Sequence, residues 1–446
     1  MMVSVVRKAL FVVTLCAIAM LSVISPAHAA GIIRDPEIER ALDELVRPIL
    51  QAAGLNPSSI DILVVDDRSL NAFVTDPTRI FIHSGLLLKM GNASQLQSVL
   101  AHEAAHIANG HITRRMANAR SSSKIAALGI LLAAAAAASG RGDAAGGIAA
   151  GAAGAAQRSF FAHTRAEEAS ADQAGIRYMV RAGVPTQGAV DVLNLFHGQE
   201  SLSLRRRDAY VRSHPLTRDR QRAMAGFVAG NPGGQTSQTD AYWFARAQGK
   251  LSAFTQSTSW TLRRVRGQND AISVMRAAVA YHRTPDPQKA ISTITQLANS
   301  RPNDPYVHEL RGQILLESRQ FPNAVNAYGR AVQLAPNNAL MLAGYGRALL
   351  AVNTADSNRR ALDALTRART RDGADPRLLR DLGVAYAKAG QNGMASLTTA
   401  ERYALLGRFR NAGIHAQRAV GLLPRGSAAW RRADDILQTA QRINRG

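Results

Sequence analysis

The 446-residue chain contains one cysteine, Cys16, inside an apolar stretch near its start. Once that stretch is removed, the chain can form no disulfide and no thiolate metal site. Any bound metal must then be held by histidine and carboxylate side chains. Acidic charge is also short, with 32 Asp and Glu against 54 Lys and Arg. A surface of this kind is drawn to anions, which for an exported protein are lipid headgroups, lipopolysaccharide and acidic clients rather than nucleic acid. Arginine-rich composition on solvated helix faces explains the same excess, so charge does not name a substrate. Long apolar runs are missing beyond the N-terminus. The stretch from Ile125 to Ala138 falls short of the roughly 18 to 20 residues needed to span a bilayer.

The first 29 residues carry Arg7 and Lys8, an apolar run from Ala9 to Ile24, and Ala27-His28-Ala29. This order reads as a secretory signal peptide cleaved after Ala29, with an uncleaved anchor as the competing reading. Loss of Arg7 and Lys8 takes the formal charge from +22 to +20. The expected compartment is the periplasm.

His102-Glu103-Ala104-Ala105-His106 is the most informative motif. On a helix, positions i and i+4 stand one above the other, so both imidazoles can reach one metal ion while Glu103 stands beside it. A carboxylate so placed can take a proton from metal-activated water and pass it to a leaving amine, which is the chemistry of peptide hydrolysis. Ser94 and Gln97 form a capping box that would start this helix, and Gly110 would end it. A catalytic zinc needs a third ligand. His111 lies one residue out of register for the long HExxHxxGxxH pattern. Downstream, Glu168 and Asp172 are again i and i+4, so one could bind the metal while the other fixes an imidazole by accepting its free N–H. His214, ahead of Pro215, could hydrogen-bond a tetrahedral intermediate, fill the open metal position, or simply occupy a turn.

HEAAH, then Thr164-Arg165 through Glu168 to Asp172, then His214-Pro215-Leu216-Thr217 to Arg220, together resemble the HtpX-like zinc endopeptidases. Asn71-Ala72-Phe73 and the segment Arg79 to Leu86 resemble that family too. The resemblance implies one Zn2+ per chain held by His102, His106 and Glu168, with Glu103 as general base and Asp172 as supporting carboxylate. Glu167 is five residues before Asp172, where the family glutamate is four. Related periplasmic enzymes imply a regulatory role for His214. Thr164 and Gln95 depart from the usual serine and acidic residue without touching the chemistry.

Along the chain, Asp35-Pro36-Glu37 opens a helix with Ile38, Leu42, Leu45 and Ile49 on one stripe, closed by Gly54 and Pro57. Ile60 to Val65 and Arg79 to His83 read as strands of a small sheet. Were Arg79, Ile80, Phe81, Ile82 and His83 its edge, an extended client could pair with them through backbone hydrogen bonds; the other reading is a covered strand with Ile80 and Ile82 in the core. The Ala- and Gly-rich segment 124–156 reads as a lid or membrane contact, or as a plain helical hairpin.

A Gly- and Pro-rich linker over 230–240 separates an expected metallopeptidase domain, 30–229, from an expected helical domain, 241–446. In the latter, Phe321 to Pro336 lines up with Phe409 to Pro424, and Gly312, Gly346 and Gly383 mark the first helices of successive pairs. These features resemble tetratricopeptide repeats. The wider second interval fits an insertion near Thr354 to Asn358. The expected fold is mainly α: a gluzincin-like domain with a small β-sheet, followed by an α-solenoid.

Signal peptide, protease domain and repeats in this order resemble the bacterial periplasmic β-barrel assembly-enhancing proteases. That resemblance implies a chaperone-like protease acting on unfolded or misassembled outer-membrane proteins. Its repeats would dock to the assembly machinery. The basic charge and the segment 124–156 add peripheral membrane association as an expectation, and no nucleic acid is expected. Two other functions fit the residues: a repeat-containing adaptor or chaperone with an idle or structural zinc site, and a zinc hydrolase of cell-wall peptides.

Overall fold

A computed structural model describes residues 31–112, 114, 165–199, 208–284 and 286–445. The expected signal peptide, 1–29, and the segment 124–156 lie outside the described residues. Among the described residues, no helix is long and apolar enough to cross a membrane.

Helix α1, Pro36–Ala52, begins where the Asp35 side chain accepts hydrogen bonds from the Glu37 and Ile38 N–H groups, with Pro36 in the first turn. It buries Ile38, Leu42, Leu45 and Ile49, and Gly54 turns the chain away with φ +72°. A four-stranded sheet follows, in the order β1 (Ile32–Ile33), β2 (Asp61–Val65), β4 (Arg79–His83), β3 (Ala72–Asp76). β2 and β4 run parallel, and β3 returns antiparallel on the far side of β4.

The expected edge strand is therefore corrected. Arg79, Ile80, Phe81, Ile82 and His83 pair on both sides, and Ile80 and Ile82 are fully buried. The edge belongs to β3, because a parallel β2–β4 pair requires the intervening chain to cross over, and Ala72–Asp76 uses that crossover to add an outer strand.

Helix α2, Ser84–Lys89, leads into α3, Ala93–Ala108, which carries HEAAH. The expected capping box is also corrected: Asn92 caps α3 by accepting from the Gln95 N–H. Ser94 donates to Asn92 Oδ1 at 2.9 Å, while buried Gln97 donates to the Leu45 carbonyl at 3.2 Å and so ties α3 to α1. Helix α4, over residues 165–181, crosses α3 closely; a Cβ on Gly175 would sit 3.4 Å from the Ala101–His102 backbone. Helices α5 (Gln187–Leu195), α6 (Ala209–Ser213) and α7 (Arg218–Gly230) complete the surround. A Cβ on Gly188 would meet the Ser94 carbonyl at 2.3 Å, so only glycine lets α5 reach the start of α3.

Residues 231–237 lie along the turn before α5: the Thr186 N–H donates to the Pro232 carbonyl and the Thr186 hydroxyl to the Asn231 carbonyl. Helix α8, Gln238–Thr255, follows, and its Phe244 and Leu251 join the same apolar core as α1 and α3. After the short α9, Thr258–Arg264, come five antiparallel helix pairs: α10–α11 (Ala271–Arg283, Pro287–Ser300), α12–α13 (Pro305–Glu317, Phe321–Leu334), α14–α15 (Ala339–Val352, Ala355–Arg371), α16–α17 (Pro376–Lys388, Asn392–Leu405) and α18–α19 (Phe409–Leu422, Ala428–Arg445).

This is a solenoid of tetratricopeptide type. Gly312 faces the Tyr328 ring and Gly346 faces Leu365. Seven residues beyond each marker glycine the chain turns left-handed, at Arg319, Asn353 and Gly390. The longer second interval is absorbed by α15, which has 17 residues against 14 in α13.

Buried charges join α1, α8 and the solenoid. Arg246 pairs with Glu37 and, at 2.7 Å, with Asp304, while Lys250 Nζ lies 2.9 Å from Asp35, 3.2 Å from Glu37 and 3.6 Å from Glu309. Arg34 reaches Asp372 at 2.7 Å. Burial pushes the Glu309 carboxyl up to about 7 against the pull of Lys250.

Candidate metal centre

Helix α3 presents His102 and His106 on one face, α4 presents Glu168 and Asp172, and the segment after α6 presents His214. His102 Nε2 and His106 Nε2 lie 3.1 Å apart. Each is 3.3 Å from a Glu168 oxygen. His214 Nδ1 lies 3.2 Å from His102 Nε2 and 3.0 Å from Glu168 Oε2. All four side chains are buried, and their ligand atoms fall within 4.8 Å of one another. Glu167 is buried but outside this group.

The donor set fits a metal ion. Zinc–nitrogen bonds of about 2.0–2.1 Å in a tetrahedron place neighbouring ligand atoms roughly 3.3–3.4 Å apart. The separations here are close to that, and they turn imidazole lone pairs and a carboxylate toward one point. A cation is the species such an arrangement accommodates.

The surrounding residues fix this geometry. Asp172 Oδ1 accepts from His102 Nδ1 at 3.0 Å, which leaves Nε2 to face the cluster. Arg220 grips Asp172 through Nε and Nη2 at 2.6 and 2.8 Å, and its Nη1 reaches Glu168 at 3.0 Å. Burial alone would raise the Asp172 carboxyl, but Arg220 and His102 outweigh it and hold the group down at about 2. Burial lowers His102, yet Asp172 and Glu168 bring it up to about 9; His106, with less support, is pushed down by burial to about 3.

Two contacts at the site lay beyond sequence reasoning. His111, out of register as a third ligand, places Nδ1 3.0 Å from His106 Nδ1 and so supports that ring from behind. Tyr210 packs its ring 4.7 Å from His214. Arg220 was visible as the last residue of the His214-to-Arg220 motif, without its task of bracing two carboxylates.

Glu103 is fully buried beside the cluster, and neither of its oxygens makes a hydrogen bond among the described residues. His214 Nε2 lies 3.4 Å from Glu103 Oε1. The same Nε2 lies 3.2 Å from the Ala72 carbonyl, which puts the edge strand β3 directly against the site.

Residues 33–228 match the model of peptidase family M48. The M48 region covers every residue of the cluster. The chain is similar to the beta-barrel assembly-enhancing protease of Escherichia coli K12, 26% identical over 327 residues, which is 70% of this chain and 65% of that protein. A putative beta-barrel assembly-enhancing protease of Vibrio cholerae is 30% identical over 155 residues, 34% of this chain and 31% of that protein. Protease HtpX of Xanthomonas euvesicatoria is 38% identical over 87 residues, 18% of this chain and 29% of that protein. The chain thus spans between about a third and two thirds of the length of the assembly-enhancing relatives. Among solved structures, MamA from Desulfovibrio magneticus RS-1 covers 37% of this chain and 93% of its own, at 19% identity and a TM-score of 0.31.

Proposed function

We propose that the chain is a zinc endopeptidase of the periplasm, with one Zn2+ per chain, that acts in the quality control and assembly of outer-membrane β-barrel proteins. The observation that carries this reading is the convergence of His102, His106 and Glu168 with Glu103 alongside. Zinc held there would supply Lewis acidity, polarising a scissile carbonyl and acidifying water. Glu103, whose oxygens accept no hydrogen bond among the described residues, takes the proton and delivers it to the leaving amine. Asp172 keeps the His102 tautomer correct. His214, beside the three other ligand atoms, would help to hold the metal in the resting chain and so compete with substrate.

Edge strand β3 gives a way to hold an extended client. The His83 N–H donates to the Asn71 carbonyl, so alternation along the strand turns the backbone groups of Ala72 and Val74 away from β4, the Ala72 carbonyl toward His214 and those of Val74 toward an incoming strand. A polypeptide pairing there would lie across the cluster whatever its side chains, which suits unfolded substrates. The names of the similar proteins support β-barrel proteins as clients, and the solenoid supports docking to assembly machinery with a chaperone-like contribution. The signal peptide read in residues 1–29 supports the compartment.

The test is cleavage of casein and of an unfolded barrel protein by the exported chain, with zinc measured in parallel. Glu103→Gln is expected to keep its zinc and lose at least about a hundredfold in rate. A variant that cuts as fast as the parent would leave an adaptor with an idle metal, and digestion of peptidoglycan in preference to protein would point to wall peptides. In the same assay, His214→Ala is expected to change the cleavage rate; an unaltered rate and zinc affinity would remove its role at the metal.

A further inference from the structure

The positive charge of this chain is lopsided. Residues 241–446 hold 30 Lys and Arg against 13 Asp and Glu, whereas residues 30–240 hold 22 against 19. Within the solenoid the excess is densest between Glu401 and Asp434, where seven arginines occur with no acidic residue at all. Exposed apolar side chains gather in the same place. Of the eight large hydrophobic residues exposed among the described residues, six fall between Val384 and Ile443.

Helix α18 combines the two. Ala412, Ala416 and Ala419 are fully buried against its neighbours. On the opposite face, four-residue steps align Arg410, Ile414, Arg418 and Leu422 in one stripe about 18 Å long. Ile414 is 58% exposed and Leu422 53%. Leu405 and Leu406, 50% and 42% exposed, flank the stripe at the end of α17 beside Arg408. Arg408, Arg410, Arg418 and Arg425 have no carboxylate within ion-pair distance among the described residues, whereas Arg432 has Glu401 at 3.4 Å.

We propose that the solvent face of α18, with the adjoining ends of α17 and α19, binds an anionic phospholipid surface. Guanidinium groups pair with phosphate, and single apolar side chains set between them reach the acyl boundary, as on helices that lie in the plane of a membrane interface. The arrangement favours lipid over a protein partner. A protein hot spot gathers its large side chains at the centre of a patch with a polar rim. Here Ile414 and Leu422 are separate along the helix, each one turn from an arginine. The proposal is independent of the peptidase chemistry.

The experiment is flotation of the full chain with vesicles of phosphatidylcholine alone and of phosphatidylcholine mixed with phosphatidylglycerol. Binding is expected only with phosphatidylglycerol present, and raised salt should weaken it. Arg410→Ala with Arg418→Ala should weaken it about thirtyfold. Ile414→Ser with Leu422→Ser should also weaken it several-fold with the charge unchanged, which separates insertion from simple attraction. Both variants should retain the parent's helicity and its cleavage rate. The proposal is overturned if the chain does not float, if it floats equally with neutral vesicles, or if the Ile414–Leu422 variant floats like the parent. It is also overturned if the parent self-associates through this face and the variant is monomeric, since a second copy would then be the occupant.

Discussion

Asp172 accepts from His102 and is itself held by both arms of Arg220, so one carboxylate sets the tautomer of a metal-facing imidazole. Replacing it by asparagine keeps the shape but offers an amide N–H to His102 Nδ1, which favours the tautomer with its proton facing the cluster. Asp172→Asn is expected to weaken zinc binding by about 10- to 100-fold in a chelator competition. Unchanged affinity would mean that Arg220 and packing orient the ring without it. At this scale the sequence was most legible where the chemistry is local. His102, Glu103 and His106 sit on one helical turn, and their spacing alone defines their geometry. Glu168 needed the family motif, because nothing local separates it from Glu167. His111 behind His106, and Arg220 across two carboxylates, arise only when separate helices meet.

In the proposed function, substrate binding turns on strand β3. Proline at position 74 would delete an outward N–H while leaving the ladder to β4 intact, and edge strands tolerate proline. Val74→Pro is expected to raise KM for an unfolded protein about 2- to 10-fold, the loss of one backbone hydrogen bond, with zinc affinity unchanged. A variant with the parent's KM would place the client elsewhere. Local pattern gave α1, β2 and β4 closely but missed β3, whose five residues are mostly half-buried and lie between two polar turns. Pairing order depends on the β2-to-β4 crossover, which no local periodicity encodes. The start of α3 is a similar case: Ser94 and Gln97 satisfy a capping pattern, yet Gln97 serves Leu45 on another helix and Asn92 takes the cap.

At the scale of the molecule, the buried charges between α1, α8 and α12 make stability depend on pH. Glu309 holds its proton more tightly when folded than when unfolded, mainly because it is buried. The folded chain therefore binds more protons in that range, and this group's contribution to stability is lost as pH rises through about 7. Glu309→Gln should flatten the fall in urea midpoint between about pH 5 and pH 8 relative to the parent. An identical slope in both would show that Lys250 keeps Glu309 ionised throughout. The repeats themselves were legible from Gly312, Gly346 and the matched segments starting at Phe321 and Phe409. Their union with the N-terminal half was not, because Glu37 and Arg246 stand 209 residues apart and neither looks unusual alone.

That union limits how the chain can be rearranged. Asp35 and Glu37 sit at the mouth of α1 with Lys250 and Arg246 as their counter-ions, and α8 also lays Phe244 and Leu251 into the apolar centre around α1 and α3. A fragment cut after Gly230, or a chimaera carrying foreign repeats, would inherit two carboxylates stripped of their cations and a bare hydrophobic flank one helix away from HEAAH. The half that carries HEAAH is thus no portable cassette, and evolution could exchange its helical partner only by rewriting both sides of the seam together.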